Sequence, residues 1–330
     1  MFKHAFVSVI LSVAMSQPAA ALVTAASGAQ AKSQADKFQL WRNEAVRALA
    51  ARDDANSVAT AAALSFTNSF AVPSAAATAL QLISRASDMA PENAAIGWLH
   101  LQLCAATPAC DSRDAATVLR WVDPDNGAAW LAQLSAAHKD KDTIEMDRVL
   151  GDMARGTRFD LYYNQIMVMM FDALSDVRHE LPGGVVTSDT AKLATLAGVA
   201  TAEIIPPFSP LIDSCRESAS GSERHEDCLK LAKIMQKGDT VIVQMVGFSI
   251  ARRLIPADSK EAKSLAERRH LLEWRISAAS KLDISILPWT QGARTRTRLA
   301  EMRRRPREED VCIALLREHK MALEPAESHR

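Results

Sequence analysis

Apolar positions return every three or four residues along most of this chain, the spacing that gathers them on one face of an α-helix. Between Asp36 and Ala51 the residues Phe38, Leu40, Trp41, Ala45, Val46 and Leu49 repeat in this way. An Ala-rich helix is predicted from Ala55 to Phe70, and Pro73 opens the next, since proline suits the first helical turn. Further helices are predicted over 92–105, 112–121, 126–138, 142–155, 160–176, 188–204, 225–236, 239–254, 257–281, 290–304 and 307–322. No window alternates strictly between apolar and polar residues with turn signals on both sides. Val241-Ile242-Val243 is the best strand candidate, but its surroundings through Leu254 are apolar on most sides and read as a buried helix. The expected fold class is all-α.

The first thirty residues change that picture only at its edge. Lys3 and His4 precede an uncharged run from Ala5 to Met15, Gln17-Pro18 breaks it, and Ala19-Ala20-Ala21 supplies small residues. That order is the pattern of a secretory signal peptide. The leader is read as residues 1–21, with an alternative end at 31, and the apolar run is too short to span a bilayer without passing through Gln17-Pro18. The five cysteines agree with export. Cys104 and Cys110 flank a turn-prone stretch, and Cys215 and Cys228 flank a polar loop, so in an oxidising compartment each pair is expected to close a short loop as a disulfide. A metal reading of His100, Cys104 and Cys110 lacks a fourth ligand. Cys312 is left over within an apolar pattern and reads as a core thiol.

One internal similarity stands out. Ala90-Pro91-Glu92-Asn93 with Trp98 recurs as Asp123-Pro124-Asp125-Asn126 with Trp130, the prolines 33 residues apart. Ala79, Ile83 and Ala86 lie before Pro91 in a small, bulky, small order. In these positions the stretch 73–156 resembles the tetratricopeptide repeat, a unit of two antiparallel helices with a period near 34 residues. Trp98 is one residue farther from its proline than Trp130 is, and Gln102 and Leu134 stand where the family places a small residue. The resemblance implies antiparallel hairpins stacked as a right-handed array, with Ala79, Ile83, Ala86, Pro91, Trp98, Pro124 and Trp130 as packing and junction residues. It also implies an extended concave face suited to a protein or peptide ligand. The organisation read from the sequence is a repeat region over 32–180 and a further helical region over 181–330.

Composition then removes function classes. Thirty-nine Lys plus Arg balance 39 Asp plus Glu, which excludes a globally basic nucleic-acid binder. A mean hydropathy of -0.05 excludes a polytopic membrane protein. No Gly-x-Ser-x-Gly, His-Glu-x-x-His, Walker loop or dinucleotide fingerprint occurs. No cofactor is called for. His179-Glu180 and His225-Glu226-Asp227 read as solvated loop residues, and Met167, Met169 and Met170 as core rather than soft-metal ligands. Positive charge gathers late, at Arg294, Arg296, Arg298, Arg303, Arg304 and Arg305. These read as a helix charged on two sides, with Glu308-Glu309-Asp310 as partners or, alternatively, with a contact to membrane headgroups or an acidic protein. The leading reading is an exported helical scaffold that binds another protein or a peptide. The alternatives are an enzyme or small-molecule binder with its site in the C-terminal region, and a membrane-surface structural protein.

Overall fold

Short polar side chains set where the helices begin. Asn93 accepts from the amides of Ala95 and Ile96 at 3.1 and 3.3 Å. Asp111, Asp142, Ser222 and Thr240 cap later helices in the same way, each satisfying an amide left free by the first turn. The computed structural model describes residues 28–66, 73–175, 205–216, 220–284 and 291–325, with single positions at 177, 196, 198 and 218. Among these the secondary structure is helical, with no strand, so the protein is all-α.

The helices are α1 (Gly28–Ala50), α2 (Ala55–Phe66), α3 (Pro73–Met89), α4 (Ala94–Ala105), α5 (Ser112–Val122), α6 (Leu131–Asp140), α7 (Thr143–Arg155) and α8 (Tyr163–Ser175). After these come α9 (Ser209–Arg216), α10 (Glu223–Met235), α11 (Val241–Leu254), α12 (Lys260–Ile284), α13 (Gln291–Arg304) and α14 (Glu308–Glu318). From α1 to α7 each helix packs on the next, and α2 also meets α4. Helix α8 then leaves this succession and lies against α1, α2 and α4. The C-terminal helices return onto the first set: α9 packs on α6, α10 on α7, and α13 on α8. One apolar core therefore runs from Trp41 through Ile83, Trp98, Leu150 and Met170 to Leu231, Phe248 and Leu315.

Most predicted helices are present within a few residues of their expected ends, and the Val241 segment is the buried helix α11. The stretch 126–138 is different: it opens as a 3-10 turn, Gly127–Trp130, before α6 begins. Helix α9 was not among the predictions, because eight residues behind Pro206-Pro207 are too few to show a period. The leader at 1–21 lies outside the described residues, as does most of the predicted helix 188–204, and α1 begins at Gly28, ahead of the alternative leader end at 31.

Both cysteine pairs form disulfides. Cys104–Cys110 ties the end of α4 to the approach to α5, and Cys215–Cys228 ties α9 to α10. Cys312 is half-buried beside a small cluster of Ala278, Ala279 and Leu316. No described helix is long and apolar enough to cross a membrane.

Helices α10 and α11 pack tightly at Gly247, where an added Cβ would stand 2.8 Å from the Met235 side chain and 2.9 Å from the Ala232 carbonyl. Gly97 in α4 differs, with only ordinary contact to Leu119 at 3.5 Å. Gly247→Ala is therefore expected to lower stability by about 1–3 kcal/mol through overpacking. Gly97→Ala is expected to leave stability unchanged or raise it by up to about 1 kcal/mol through helix propensity. Thermal unfolding of the two variants checks the pair, and equal shifts in the same direction would refute the close crossing.

Candidate functional site

The second of the two matching junctions enters a buried polar network. Asn126, 1% exposed, accepts at Oδ1 from the amides of Ala128 (3.1 Å) and Asp160 (3.0 Å). Its Nδ2 donates to the Asp160 carbonyl at 2.9 Å and the Tyr162 hydroxyl at 3.0 Å. The side chain thus uses its full capacity. Around it, the Asp125 carbonyl accepts from the amides of Thr157 and Arg158, and the Arg158 carbonyl accepts from Gly127. Buried Asp123 accepts from the Arg158 guanidinium and the Tyr162 hydroxyl. Tyr162 has φ of 58°, a left-handed conformation that costs a non-glycine residue about 1–2 kcal/mol. Burial and the Asp123 carboxylate push its phenol well above the usual value.

The network reaches the C-terminal helices through two carboxyls. Asp239, 3% exposed, accepts from the Leu161 amide at 2.9 Å, and its own carbonyl accepts from the Glu308 amide at 2.7 Å. Glu308 accepts from the Val241 amide at 2.8 Å, capping α11 from α14. Asn164 donates to the carbonyls of Arg305 and Pro306 at 3.0 and 3.2 Å. Burial, with Asp160 and Glu308 nearby, pushes the Asp239 carboxyl up to about 8. Burial raises Asp160 and Glu308 as well. Perturbed carboxyls often mark active sites, but here Asp239 and Glu308 each accept from a backbone amide and Asp160 from the Arg158 guanidinium. Their arrangement fastens α5 and the 156–162 segment to α11 and α14.

The surface offers two other features. A cleft of about 500 Å³ lies between the starts of α2 and α4 and the sides of α8 and α13. Arg52, Asn93, Asp172 and Arg303 line it, and Arg303 pairs across it with Asp172. The second feature is the edge formed by α5, α6 and α7. The Arg120 guanidinium lies 4.2 Å from the centroid of the Trp130 ring and that of Arg148 at 5.8 Å, both within cation–π range. Arg120 donates to Gln133, Gln133 to Glu145, and Arg148 to Glu145 in turn. Arg148 holds the Glu145 carboxyl down at about 2. Next to this chain in sequence are Trp121, 77% exposed, and Ile144, 82% exposed, with Val118 one turn before Trp121.

The residues singled out in the sequence fall as follows. Ala79, Ile83, Ala86 and Trp98 are fully buried, Pro91 and Pro124 are exposed at their junctions, and Trp130 is half-buried under Arg120. Of the arginines, Arg304 and Arg305 pair with Glu301 at 3.2 and 2.6 Å, Arg303 pairs with Asp172, and Arg298 lies near Glu308. Arg296 is exposed, and the Arg294 side chain lies outside what is described. Met167, Met169 and Met170 are buried in the core. His100 faces Ser87, with its Nδ1 3.1 Å from the hydroxyl. Among the described residues no group of His, Cys, Asp or Glu is placed to hold a metal ion. The Asp123–Tyr162–Asp239 network was missed by sequence reasoning, and its only visible trace was Asn126 at a repeated junction. Comparison with protein-family models, curated proteins and solved structures finds no match for this chain.

The Asp239 carboxyl titrates near 8 in the folded chain against an ordinary value of 3.8. Across that window the folded state binds more protons than the unfolded state, so stability falls as pH rises and the loss is complete above about 8. Asp239→Asn keeps an oxygen for the Leu161 amide and removes the titration. Between pH 4 and pH 9 the wild type is expected to lose about 1–3 kcal/mol more stability than this variant. Denaturant unfolding at the two pH values measures the difference, and parallel losses would contradict it.

Proposed function

We propose that this protein is an exported bacterial helical module, working in the periplasm, that binds another protein or a peptide through the α5–α7 edge. The observation that carries the reading is the exposure of Trp121, Ile144 and Val118, each within four residues along its helix of an arginine in the Arg120–Trp130–Arg148 stack. Folded surfaces keep single apolar side chains in view, but a tryptophan and two aliphatics on two helices linked through Trp130, with two arginines, have the composition of binding hot spots. Stacking on Trp130 and the bonds through Gln133 and Glu145 hold these arginines in place before any partner arrives, so little side-chain freedom is lost on binding.

The leader pattern, the two disulfides and the hairpin-like succession of α1 to α7 support export and a tetratricopeptide-like scaffold. In that scaffold the inner face would ordinarily receive the ligand. Here α8 lies against α2 and α4, and this favours the outer edge.

Two measurements test the reading. The amino terminus of the mature protein from the cell envelope is expected at Leu22, or at Lys32 for the alternative leader; an intact Met1 would count against export. A photo-crosslinking residue at 121 is expected to trap a discrete partner that the same residue at Glu92, exposed elsewhere, does not. Trp121→Glu should weaken that association by about thirtyfold, the loss of a hot-spot side chain. Identical adducts from both positions, or none, would remove the proposal.

A further inference from the structure

A second cleft, of about 410 Å³, opens where three elements meet far along the chain from the α5–α7 edge. Arg216 comes from the last residue of α9, Ser218 and Ser220 from the loop that follows, His225 from the first turn of α10, and Arg253 from the end of α11. The Cys215–Cys228 disulfide fixes the first of these beside the fourth: it joins the residue before Arg216 to the helix that carries His225. Helix α11 packs on both α9 and α10, bringing Arg253 to the same opening.

Among the described residues of this lining the charged side chains have one sign. No Asp or Glu is among its described residues, and Glu223 and Glu226 in the first turn of α10 are exposed. Arg216 is held at 2.9 Å by Asp213 one turn earlier and keeps other donor hydrogens. Arg253 is exposed and makes no ion pair with a described residue. The Ser218 hydroxyl is already donated to the Cys215 carbonyl at 2.8 Å, so the donors left to the cleft are two guanidinium forks and the Ser220 hydroxyl, still more, from more directions, than the two oxygens of a carboxylate can accept. A phosphate, with three terminal oxygens, matches them. The cleft is also larger than a bare phosphate requires and falls in the range of small-molecule sites.

We propose that this cleft binds the phosphate group of a phosphate monoester, with Arg253 and Arg216 as donors. It is a site distinct from the protein-binding edge and does not depend on that reading.

The experiment uses the oxidised mature chain in low-salt buffer, titrated calorimetrically with inorganic phosphate and with glycerol 3-phosphate. Saturable binding of both is expected, tighter for the ester. Arg253→Gln should weaken it by about tenfold, the loss of one charge-assisted contact, and Arg216→Gln combined with it should abolish binding. Co-sedimentation with phosphatidylcholine vesicles, with and without phosphatidic acid, separates the two sources of such a group. Sedimentation that needs phosphatidic acid and fails in Arg253→Gln assigns the site to a lipid headgroup. Calorimetric binding without sedimentation assigns it to a soluble ester. Trp121→Glu should retain the binding in either case, which keeps this result separate from the partner-binding test. No saturable binding to either anion or to the vesicles, or binding unaltered in both arginine variants, overturns the proposal.

Discussion

The Asn126 amide is needed in two places at once. Its oxygen satisfies the Ala128 amide at the start of the 3-10 turn, as Asn93 satisfies amides at the start of α4, while its nitrogen reaches the chain at 160–162. Both duties are met where the chain turns through Gly127 as a 3-10 segment against the backbone of α7; a Cβ on Gly127 would stand 2.9 Å from the Met153 carbonyl. Asp123 can remain in the core only because Arg158 and Tyr162 donate to it, since an unpaired buried carboxylate is costly. Tyr162 is held in its left-handed conformation by the same contacts, and the next residue starts α8. The direction of α8 across α1, α2 and α4 therefore follows from a polar contact set at a helix junction. Asp239 and Glu308 carry that arrangement on to α11 and α14.

How much of this could be seen in the sequence depends on the range of the interaction. Helices such as α5 and α7 are legible because their apolar stripe and their caps, Asp111 and Asp142, lie within the same dozen residues. Each disulfide was legible for a similar reason: its partners are 6 and 13 residues apart in a helical context with turn residues between. The two Pro-x-Asn junctions look alike as text, yet they differ in the fold. Asn93 has amides of its own helix as partners, whereas Asn126 has partners 34 and 36 residues away. Nothing local distinguishes the two. The same holds for Asp239, whose partner Leu161 is 78 positions distant, and for the convergence of Arg216, His225 and Arg253 from three elements. The arginine-rich segment was legible as charge, but its pairings were not: Arg303 finds Asp172 on α8, while Arg304 and Arg305 turn back to Glu301 on their own helix.

The apolar character of α8 has a mechanical side. Stacked helical hairpins can bend by accumulating small rotations from one unit to the next. With Ile166, Met170 and Leu174 embedded in the core between α8 and its neighbours, any such bend would separate surfaces now in contact. Each square ångström of apolar surface uncovered would cost roughly 25 cal/mol. Helices α1, α2 and α4 are thus braced by α8 and forgo, along that stretch, the elasticity that an open hairpin array keeps.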